Sequence, residues 1–556
     1  MTDVDRVTQH SHRALGVLVL ALAGCGDASR SPTPPVTPPR ADSTPTLTVR
    51  PVAISIAVDQ DRAPISPLIY GTNQDAGASF WTVRRNGGNR TTGYNWETNV
   101  SNAGSDYRHN SDLFAMSYLG LPASEATIPG RSVTYNHDLS VAMGAESIVT
   151  LQLAGYVAAD ANGPVTEAEA APSPRWNKVA YRKPTAFTTM PDLTDGTVYM
   201  DEQVNLLVRK YGGAAAPTGV RFYSLDNEPA VWANTHPRIH SPKVGAQELL
   251  DRSVALATAT KAVDPKAQIL GPSEYGISGF VSLQSALDWT QLKGTYSWYL
   301  DFYLDGMKKA EQASGKRLLD VLDVHWYPEA KGDHRITDQG AVTAADVEAR
   351  LQAPRTLWDA AYQENSWVQQ VLPSFLPILP RLQRSIAQYY PGTKLAITEY
   401  DFGGKNTISG GIAQADVLGA FAKNDIYLAT IWGIGSGDLF ALSGFRLYRD
   451  YNGRKGTFGS TRVRSTTADI ARTSVYASVD GNDNSLVHVI LLNKGSDPVA
   501  ATVQLTGGVS YTSGEVWGFD ATSAQITARP AISGIGSNSF TYAVPPLTAL
   551  HMILRK

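Results

Sequence analysis

The feature that most constrains the fold of this chain is a series of short apolar runs with strand propensity, which alternate with helical or loop material. Such alternation is typical of βα units and a parallel sheet. Helical spacing is clearest at 200–211, 246–263, 298–313 and 376–389. Eight strand-like runs are found, as many as a (β/α)8 barrel needs: 69–73, 81–85, 147–153, 220–225, 268–271, 321–325, 395–398 and 427–432. We predict an α/β fold with a TIM-like barrel over residues 65–446.

The pattern of the sequence changes after residue 446. Short alternating runs, separated by Gly, Asn, Asp and Pro, follow at 474–479, 487–493, 499–505, 511–518, 539–544 and 549–554. They predict an appended antiparallel β-sandwich over residues 447–556. We expect residues 47–64 to contribute strands to this sandwich. Two connections, 86–111 and 158–197, are longer than usual loops and are expected to form walls of a cleft.

The N-terminal residues predict export. Residues 14–23 form an apolar run that is too short to span a bilayer but suits the core of a signal peptide. The run leads into Leu-Ala-Gly-Cys, which resembles a bacterial lipoprotein signal, so we expect residues 1–25 to be a lipoprotein signal with Cys25 as the lipidated residue. An ordinary secretory signal is the alternative. Residues 26–46, rich in Pro, Ser and Thr, are expected to be an extended spacer. The mature protein is expected outside the cytoplasm, as a cell-surface or periplasmic lipoprotein or in secreted form.

Two glutamates, Glu228 and Glu399, each follow a strand-like run in a specific local context, Leu-Asp-Asn-Glu-Pro and Ile-Thr-Glu-Tyr. The carboxyl ends of parallel barrel strands open onto one face, so residues distant in sequence can meet there. A lone strand-end glutamate is more often a salt-bridge partner, but two in the same context favour the carboxyl pair that glycoside hydrolysis needs. We predict Glu228 as acid/base, with its neutral form favoured by partial burial and by the charge of Glu399. We predict Glu399 as the nucleophile.

Further polar and aromatic residues near the predicted strand ends are candidates for binding sugar or orienting a carboxylate. If it stood alone, His325 would more often be a structural histidine than a functional one. A lone Trp432 would be a core residue about as often as a sugar-binding one. Trp96 lies in a long loop, where exposed aromatics are typical of binding. The predicted substrate-binding residues are Asn73, Arg85, Trp96, Asn227, Tyr275, His325, Trp326, Tyr327 and Trp432.

An ordered set of motifs resembles glycoside hydrolase family 44: Gly71-Thr72-Asn73, Asn89-Arg90 with Tyr94-Asn95-Trp96-Glu97, Leu225-Asp226-Asn227-Glu228-Pro229, Asp323-Val324-His325-Trp326-Tyr327-Pro328-Glu329 and Ile397-Thr398-Glu399-Tyr400. The resemblance covers the chain from about residue 47 to its end. It implies an endo-β-1,4-glucanase or xyloglucanase on a barrel with an attached β-sandwich. It also implies retention of configuration, with Glu228 as acid/base and Glu399 as nucleophile.

The same resemblance implies roles for several other residues. His325 and Tyr327 match a histidine and a tyrosine found after the sixth strand of related barrels. Arg85 matches an arginine near the end of the second strand, a position for which Arg84 and Arg90 compete. Members of the family can hold a structural calcium, although the sequence has no EF-type loop or zinc spacing. No cofactor is expected to be required for the chemistry.

The expected partner is a β-glucan such as xyloglucan or a cellulose-like chain. A net charge of -3 and the lack of a basic run argue against nucleic acid. Membrane contact is expected only through the lipid anchor, and a monomer is expected. Two alternatives stay open: an exo-acting α-L-arabinofuranosidase-like glycosidase of the same superfamily, suggested by residues 65–71, and a non-catalytic surface lipoprotein that binds glycans.

Overall fold

The computed structural model describes residues 49–73 and 79–556. The predicted signal segment, Cys25 and the spacer at 26–46 therefore lie outside the described residues. Among the described helices, none is long and apolar enough to cross a membrane.

Eight parallel strands close into a barrel, which confirms the predicted fold class. The first strand pairs with the second and with the eighth, so the ring is complete. In chain order the strands are Gly71–Asn73, Val83–Asn86, Glu146–Leu151, Phe222–Leu225, Gln268–Glu274, Val321–Trp326, Lys394–Tyr400 and Leu428–Ile431. Each overlaps one of the eight predicted runs.

The barrel interior is apolar at one end and polar at the other. Residues near the amino ends of the strands form a small buried cluster that includes Val83, Phe222 and Leu428. Towards the carboxyl ends the buried side chains become polar, as with Arg85 and Asp323. Because buried polar groups require partners, this polar end is where a hydrogen-bonded site is expected.

Helices cover the outside of the barrel. The longer ones are Arg131–Met143, Met200–Tyr211, Ala246–Val263, Tyr299–Ser314, Ala344–Gln352, Ile378–Tyr389, Ile408–Lys423 and Leu439–Arg449. Shorter helices run over Asn89–Thr92, Phe114–Tyr118, Trp232–Thr235, Ile277–Ser282, Trp289–Leu292 and Trp367–Val371. Helix Met200–Tyr211 shows why such segments form, because acidic residues occupy its first turn and basic residues its last, matching the helix dipole. Its buried stripe packs against the barrel.

The two long connections fold into small sheets on the rim of the barrel. One sheet combines Ser101–Asn102, Asn110–Asp112 and Gly163–Pro164. The other combines Tyr156–Ala158, Trp176–Ala180 and Thr197–Tyr199. The first of these sheets ties the connection after the second strand to the connection after the third.

The C-terminal domain is a two-layer sheet structure of ten strands. The strands are Arg50–Ala57, Ala63–Pro64, Thr461–Thr467, Thr473–Asp480, Asp483–Asn493, Val499–Thr506, Ser513–Asp520, Ser523–Ser533, Ser539–Val544 and Thr548–Arg555. Strand Thr461–Thr467 pairs within both layers, and a separate apolar core lies between them. Strand Arg50–Ala57 runs parallel to Val499–Thr506, so the sheet is mixed, whereas the sequence predicted a purely antiparallel one.

The sheet domain packs against the last two long barrel helices. Gly419 lies directly under the ring of Tyr476, where a Cβ atom would approach ring atoms to 2.2 Å. The Tyr476 hydroxyl donates a hydrogen bond to Asp416 Oδ1 at 2.6 Å. His551 Nδ1 lies 2.8 Å from the carbonyl oxygen of Leu447. The interface is therefore close-packed and contains specific polar contacts.

Candidate active site

Glu228 lies just beyond the fourth barrel strand, in a backbone conformation that few residues adopt. Its φ of 46° and ψ of 55° are left-handed, and Asp226 two residues earlier is also left-handed at φ 63°. The Asp226 carboxylate stabilises this turn by accepting hydrogen bonds from the backbone N–H groups of Leu153, Ala154 and Asn227. Backbone strain of this kind is retained at functional sites when the surroundings hold it in place.

Glu399 lies in the seventh barrel strand with both carboxylate oxygens bound. Arg85 Nη1 donates to Oε1 at 2.6 Å, and the Tyr327 hydroxyl donates to Oε2 at 2.7 Å. The Arg85 side chain is fully buried and that of Glu399 is 5% exposed. A buried charge needs such a partner, so the ion pair fixes both the position and the orientation of the Glu399 carboxylate.

Arg85 also connects Glu399 to two asparagines. Its Nη1 donates to Asn73 Oδ1 at 3.0 Å and its Nη2 to Asn227 Oδ1 at 2.9 Å. Asn73 in turn donates to the carbonyl oxygen of Thr398, next to Glu399, at 2.7 Å. The guanidinium group thus holds side chains from the first, fourth and seventh strands in one network.

The structure identifies which of the three competing arginines lies in the site. Arg84, one residue earlier on the same strand, points outwards and donates to the carbonyl oxygen of Asn136. Arg90 pairs with Asp112 at 2.6 Å. Arg85 alone of the three points into the barrel, because side chains alternate between the two faces of a strand.

Burial raises the pKa of Glu228 to about 7, since the charged form is costly to desolvate. The Arg85 guanidinium acts in the opposite direction, and the negative charge of Asp106 adds to the increase. Near neutral pH, Glu228 is therefore poised between its protonated and ionised forms.

His325, in the sixth strand, lies between the two glutamates. Its Nδ1 is 2.8 Å from Glu228 Oε1 and 3.5 Å from Glu399 Oε2. Burial lowers the pKa of His325 to about 4, so the ring is neutral near neutral pH. Its contact with Glu228 is therefore a hydrogen bond that orients the carboxyl group, and not a salt bridge.

The other predicted binding residues are placed differently. Trp96 and Trp326 are 1% and 4% exposed and belong to the hydrophobic core, so neither presents a face for stacking on sugar. Trp326 points away from the barrel interior and stacks near Phe280, with ring centroids 6.5 Å apart. Trp432 is partly exposed beside Gly88, and Tyr275 donates a hydrogen bond to Gln284 at the edge of the site.

Several residues of the site were missed by the sequence analysis. Gly87 lies against the Arg85 guanidinium, where a Cβ atom would be 2.3 Å from Cζ, and the backbone N–H of Gly88 donates to Asn227 Oδ1 at 3.2 Å. Asn89 Oδ1 accepts from Asn227 Nδ2 at 3.2 Å. The glycine pair directly after a barrel strand was the available signal. Glu274, fully buried at the end of the fifth strand, had no distinguishing motif.

Glu228, His325 and Glu399 present donor atoms within 4.8 Å of one another. This set does not fit Ca²⁺, which takes six to eight oxygen ligands, because one donor is an imidazole and Arg85 occupies a Glu399 oxygen. The predicted structural calcium stays a prediction without assigned ligands.

A closed parallel barrel with two neighbouring carboxyl groups at the carboxyl ends of its strands is the arrangement that barrel glycoside hydrolases use, and it indicates this class of protein. The profile of glycoside hydrolase family 44 matches residues 100–330. The chain is 54% identical over 507 residues to endoglucanase A of Paenibacillus lautus, covering 91% of this chain and 72% of that protein. It is 46% identical to a β-mannanase/endoglucanase A of Caldicellulosiruptor saccharolyticus, covering 89% of this chain and 38% of that protein.

A solved structure gives the same result. A family 44 xyloglucanase from Paenibacillus polymyxa, solved with xyloglucan, superposes with a TM-score of 0.90 at 52% identity, covering 91% of this chain and all of that one. The chain therefore belongs to glycoside hydrolase family 44. It is an endo-acting glycoside hydrolase.

Proposed function

We propose that the protein cleaves β-1,4-glucan backbones, with xyloglucan as a favoured substrate, and that it retains the anomeric configuration. The observation that carries the stereochemical part is the proximity of Glu228 and Glu399, whose nearest carboxyl oxygens lie within 4.8 Å. Retaining glycosidases have carboxyl groups about 5–5.5 Å apart, whereas inverting enzymes need about 6.5–9.5 Å to admit a water. The substrate follows the family 44 relatives that are named for endoglucanase and xyloglucanase activity.

In the first step, a Glu399 oxygen attacks the anomeric carbon while Glu228 gives its proton to the glycosidic oxygen. The bond to the leaving chain breaks, and Glu399 becomes esterified to the sugar. Arg85 and Tyr327 hold the Glu399 oxygens in position before the attack. The raised pKa of Glu228 keeps a large share of the enzyme in the protonated form that this step requires.

In the second step, Glu228 acts as a base. It takes a proton from a water molecule, whose oxygen attacks the same anomeric carbon and releases Glu399 as a carboxylate. Glu228 is then protonated again and ready for the next cycle. The neutral His325 ring keeps the Glu228 carboxyl aligned through both steps.

The direct test combines viscosity with stereochemistry. Purified protein should lower the viscosity of xyloglucan or carboxymethylcellulose solutions early in the reaction, and proton NMR should show the β-anomer as first product. Glu228→Gln and Glu399→Gln should each abolish both signals. Glu146→Gln serves as a matched control, because Glu146 lies at the opposite, amino end of the third strand and pairs with Arg221. An α-anomer as first product would refute retention.

The exo-acting arabinofuranosidase reading makes a different prediction on the same substrates. It requires arabinose release from arabinan without a loss of viscosity. The non-catalytic reading is excluded by membership in a family of hydrolases together with both carboxyl groups in place.

We also propose that the protein acts as a monomer outside the cytoplasm, anchored through Cys25. The support is the Leu-Ala-Gly-Cys sequence after an apolar run. Growth with an alkyne-labelled fatty acid should label the wild type and not Cys25→Ala. Release of active, unlabelled protein into the medium by the wild type would refute the anchor.

A further inference from the structure

A cavity of about 470 Å³ lies on the rim of the barrel, outside the catalytic centre. Its walls come from the end of the second strand, helix Phe114–Tyr118, helix Arg131–Met143 and the segment at Ile434 and Gly435. None of the residues assigned to catalysis lines it. Its volume falls within the usual range of about 300–1,000 Å³ for small-ligand pockets.

Two aromatic side chains form one wall of this cavity. Phe114 and Tyr118 are one helical turn apart, with ring centroids 5.6 Å apart and an angle of 31° between the rings. They are 38% and 50% exposed, so part of each side chain faces solvent. A pair of exposed rings beside polar side chains is typical of a binding surface.

Two arginines line the cavity, Arg84 and Arg90, and both guanidinium groups bind neighbouring protein groups. Arg84 Nη1 donates to the carbonyl oxygen of Asn136 at 3.0 Å. The Arg90 guanidinium stacks on Phe114 at 4.4 Å from the ring centroid and pairs with Asp112 at 2.6 Å. Asn86 and Asn136 contribute further polar side chains to the lining. The combination of apolar ring faces, amides and guanidinium groups that already bind protein acceptors suits a ligand with C–H faces and uncharged hydroxyl groups.

One short segment of chain joins residues of the cavity wall to residues beside the catalytic centre. Gly88 contacts the Trp432 ring on one side and donates to Asn227 on the other, and Arg90 follows two residues later. Ile434 lies two residues beyond Trp432. We propose that this cavity is a distal glucan-binding site, which holds a segment of the β-glucan backbone several sugars away from the bond that is cut.

This inference rests on the proposed glucanase function, and its test separates the two. Binding is measured by affinity electrophoresis in gels that contain xyloglucan, using the inactive Glu399→Gln protein as background. Adding Phe114→Ala and Tyr118→Ala should weaken retention roughly 10-fold, as expected for the loss of two stacking contacts. Val141→Ala is the matched control, because Val141 lies on helix Arg131–Met143, is 37% exposed and does not line the cavity.

Rates give a second readout in the active protein. The aromatic double variant should lose roughly 10-fold in kcat/KM on polymeric xyloglucan and less than 2-fold on a cello-oligosaccharide too short to reach the cavity. If the double variant does not fold, Tyr118→Ala alone is used. Unchanged retention and unchanged polymer rates would overturn the site. If the aromatic double variant were retained less than its background protein by an anionic polysaccharide but equally by xyloglucan, the choice of ligand would be overturned. A wild-type protein that cuts no glucan would refute the proposed function, while gel retention would still report on the cavity.

Discussion

We expect glutamine substitutions at Glu228 and at Glu399 to change the stability of the protein in opposite directions. Both substitutions keep the shape of the side chain and remove its negative charge. Glu228 is buried without a cationic partner in direct contact, and its pKa is raised from 4.5 to about 7. Glu399 is paired with the Arg85 guanidinium at 2.6 Å. The two carboxyl groups therefore differ in what their charge costs or contributes to the folded state.

The magnitude for Glu228 follows from its pKa. A carboxyl group with a raised pKa in the folded state leaves stability intact below about pH 4.5. It lowers the free energy of unfolding as the pH rises towards 7, above which the loss stays constant. The rise from 4.5 to about 7 corresponds to roughly 3 kcal/mol at about 1.4 kcal/mol per pH unit. Glu228→Gln should remove this cost at pH 8 and change little at pH 4.5.

The expected effect of Glu399→Gln is destabilising. Breaking a buried ion pair by neutralising one partner leaves the Arg85 charge uncompensated, which costs roughly 3–5 kcal/mol. This loss should be measurable at pH 8.

Thermal unfolding at pH 4.5 and pH 8 measures both effects. For a domain of this size, about 3 kcal/mol corresponds to roughly 3–5 °C in Tm. The Tm difference between Glu228→Gln and wild type should be larger at pH 8 than at pH 4.5 by this amount, in favour of the variant. Glu399→Gln should have a lower Tm than wild type at pH 8. A Glu228→Gln protein with the same relative Tm at both pH values would refute the argument that burial of the Glu228 charge strains the fold.

Three further predictions follow from single contacts. Tyr327→Phe removes the hydrogen bond to Glu399 Oε2 and should lower kcat about 10- to 100-fold while the Tm changes little, as checked by initial rates and thermal unfolding. Burial raises the pKa of Glu274 well above its usual value, so this carboxyl group is expected to be neutral in the folded protein. Glu274→Gln should therefore leave the pH profile of kcat/KM unchanged, whereas a shifted profile would show that Glu274 is ionised. Burial and the neighbouring His488 lower the pKa of His551 well below 6.5. Below pH 6.5 the unfolded state therefore binds more protons than the folded state, and the free energy of unfolding should fall as the pH drops from 7 to 5. Urea unfolding at pH 7 and pH 5 should show a smaller loss for His551→Gln.

The sequence was sufficient to predict the barrel because most strands lie in short runs with strand propensity that end at a clear stop. It was less informative for helix Ile408–Lys423, which is buried along nearly its whole length between the barrel and the sheet domain. A helix without a polar face lacks the periodic stripe by which helices are recognised.

The proximity of Glu228 and Glu399 was predictable because each follows or ends a parallel barrel strand, and the carboxyl ends of these strands open onto one face. The alternation of side chains along a strand also distinguishes His325, which points inwards, from Trp326, which points outwards, although the sequence analysis did not use it. The burial of Trp96 was not predictable, because it depends on small rim sheets built from distant parts of the chain.

The position of strand Arg50–Ala57 affects the order in which the protein can fold. Its two neighbours in the sheet, Thr461–Thr467 and Val499–Thr506, are synthesised only after the whole barrel. Until then, the apolar face formed by Val52, Ile54 and Ile56 has no native partner on the ribosome. Such distant pairings are slow to form, so barrel closure precedes completion of the sheet. A nascent chain that stops short of Thr461 therefore has neither neighbour of strand Arg50–Ala57, which makes early termination an aggregation hazard.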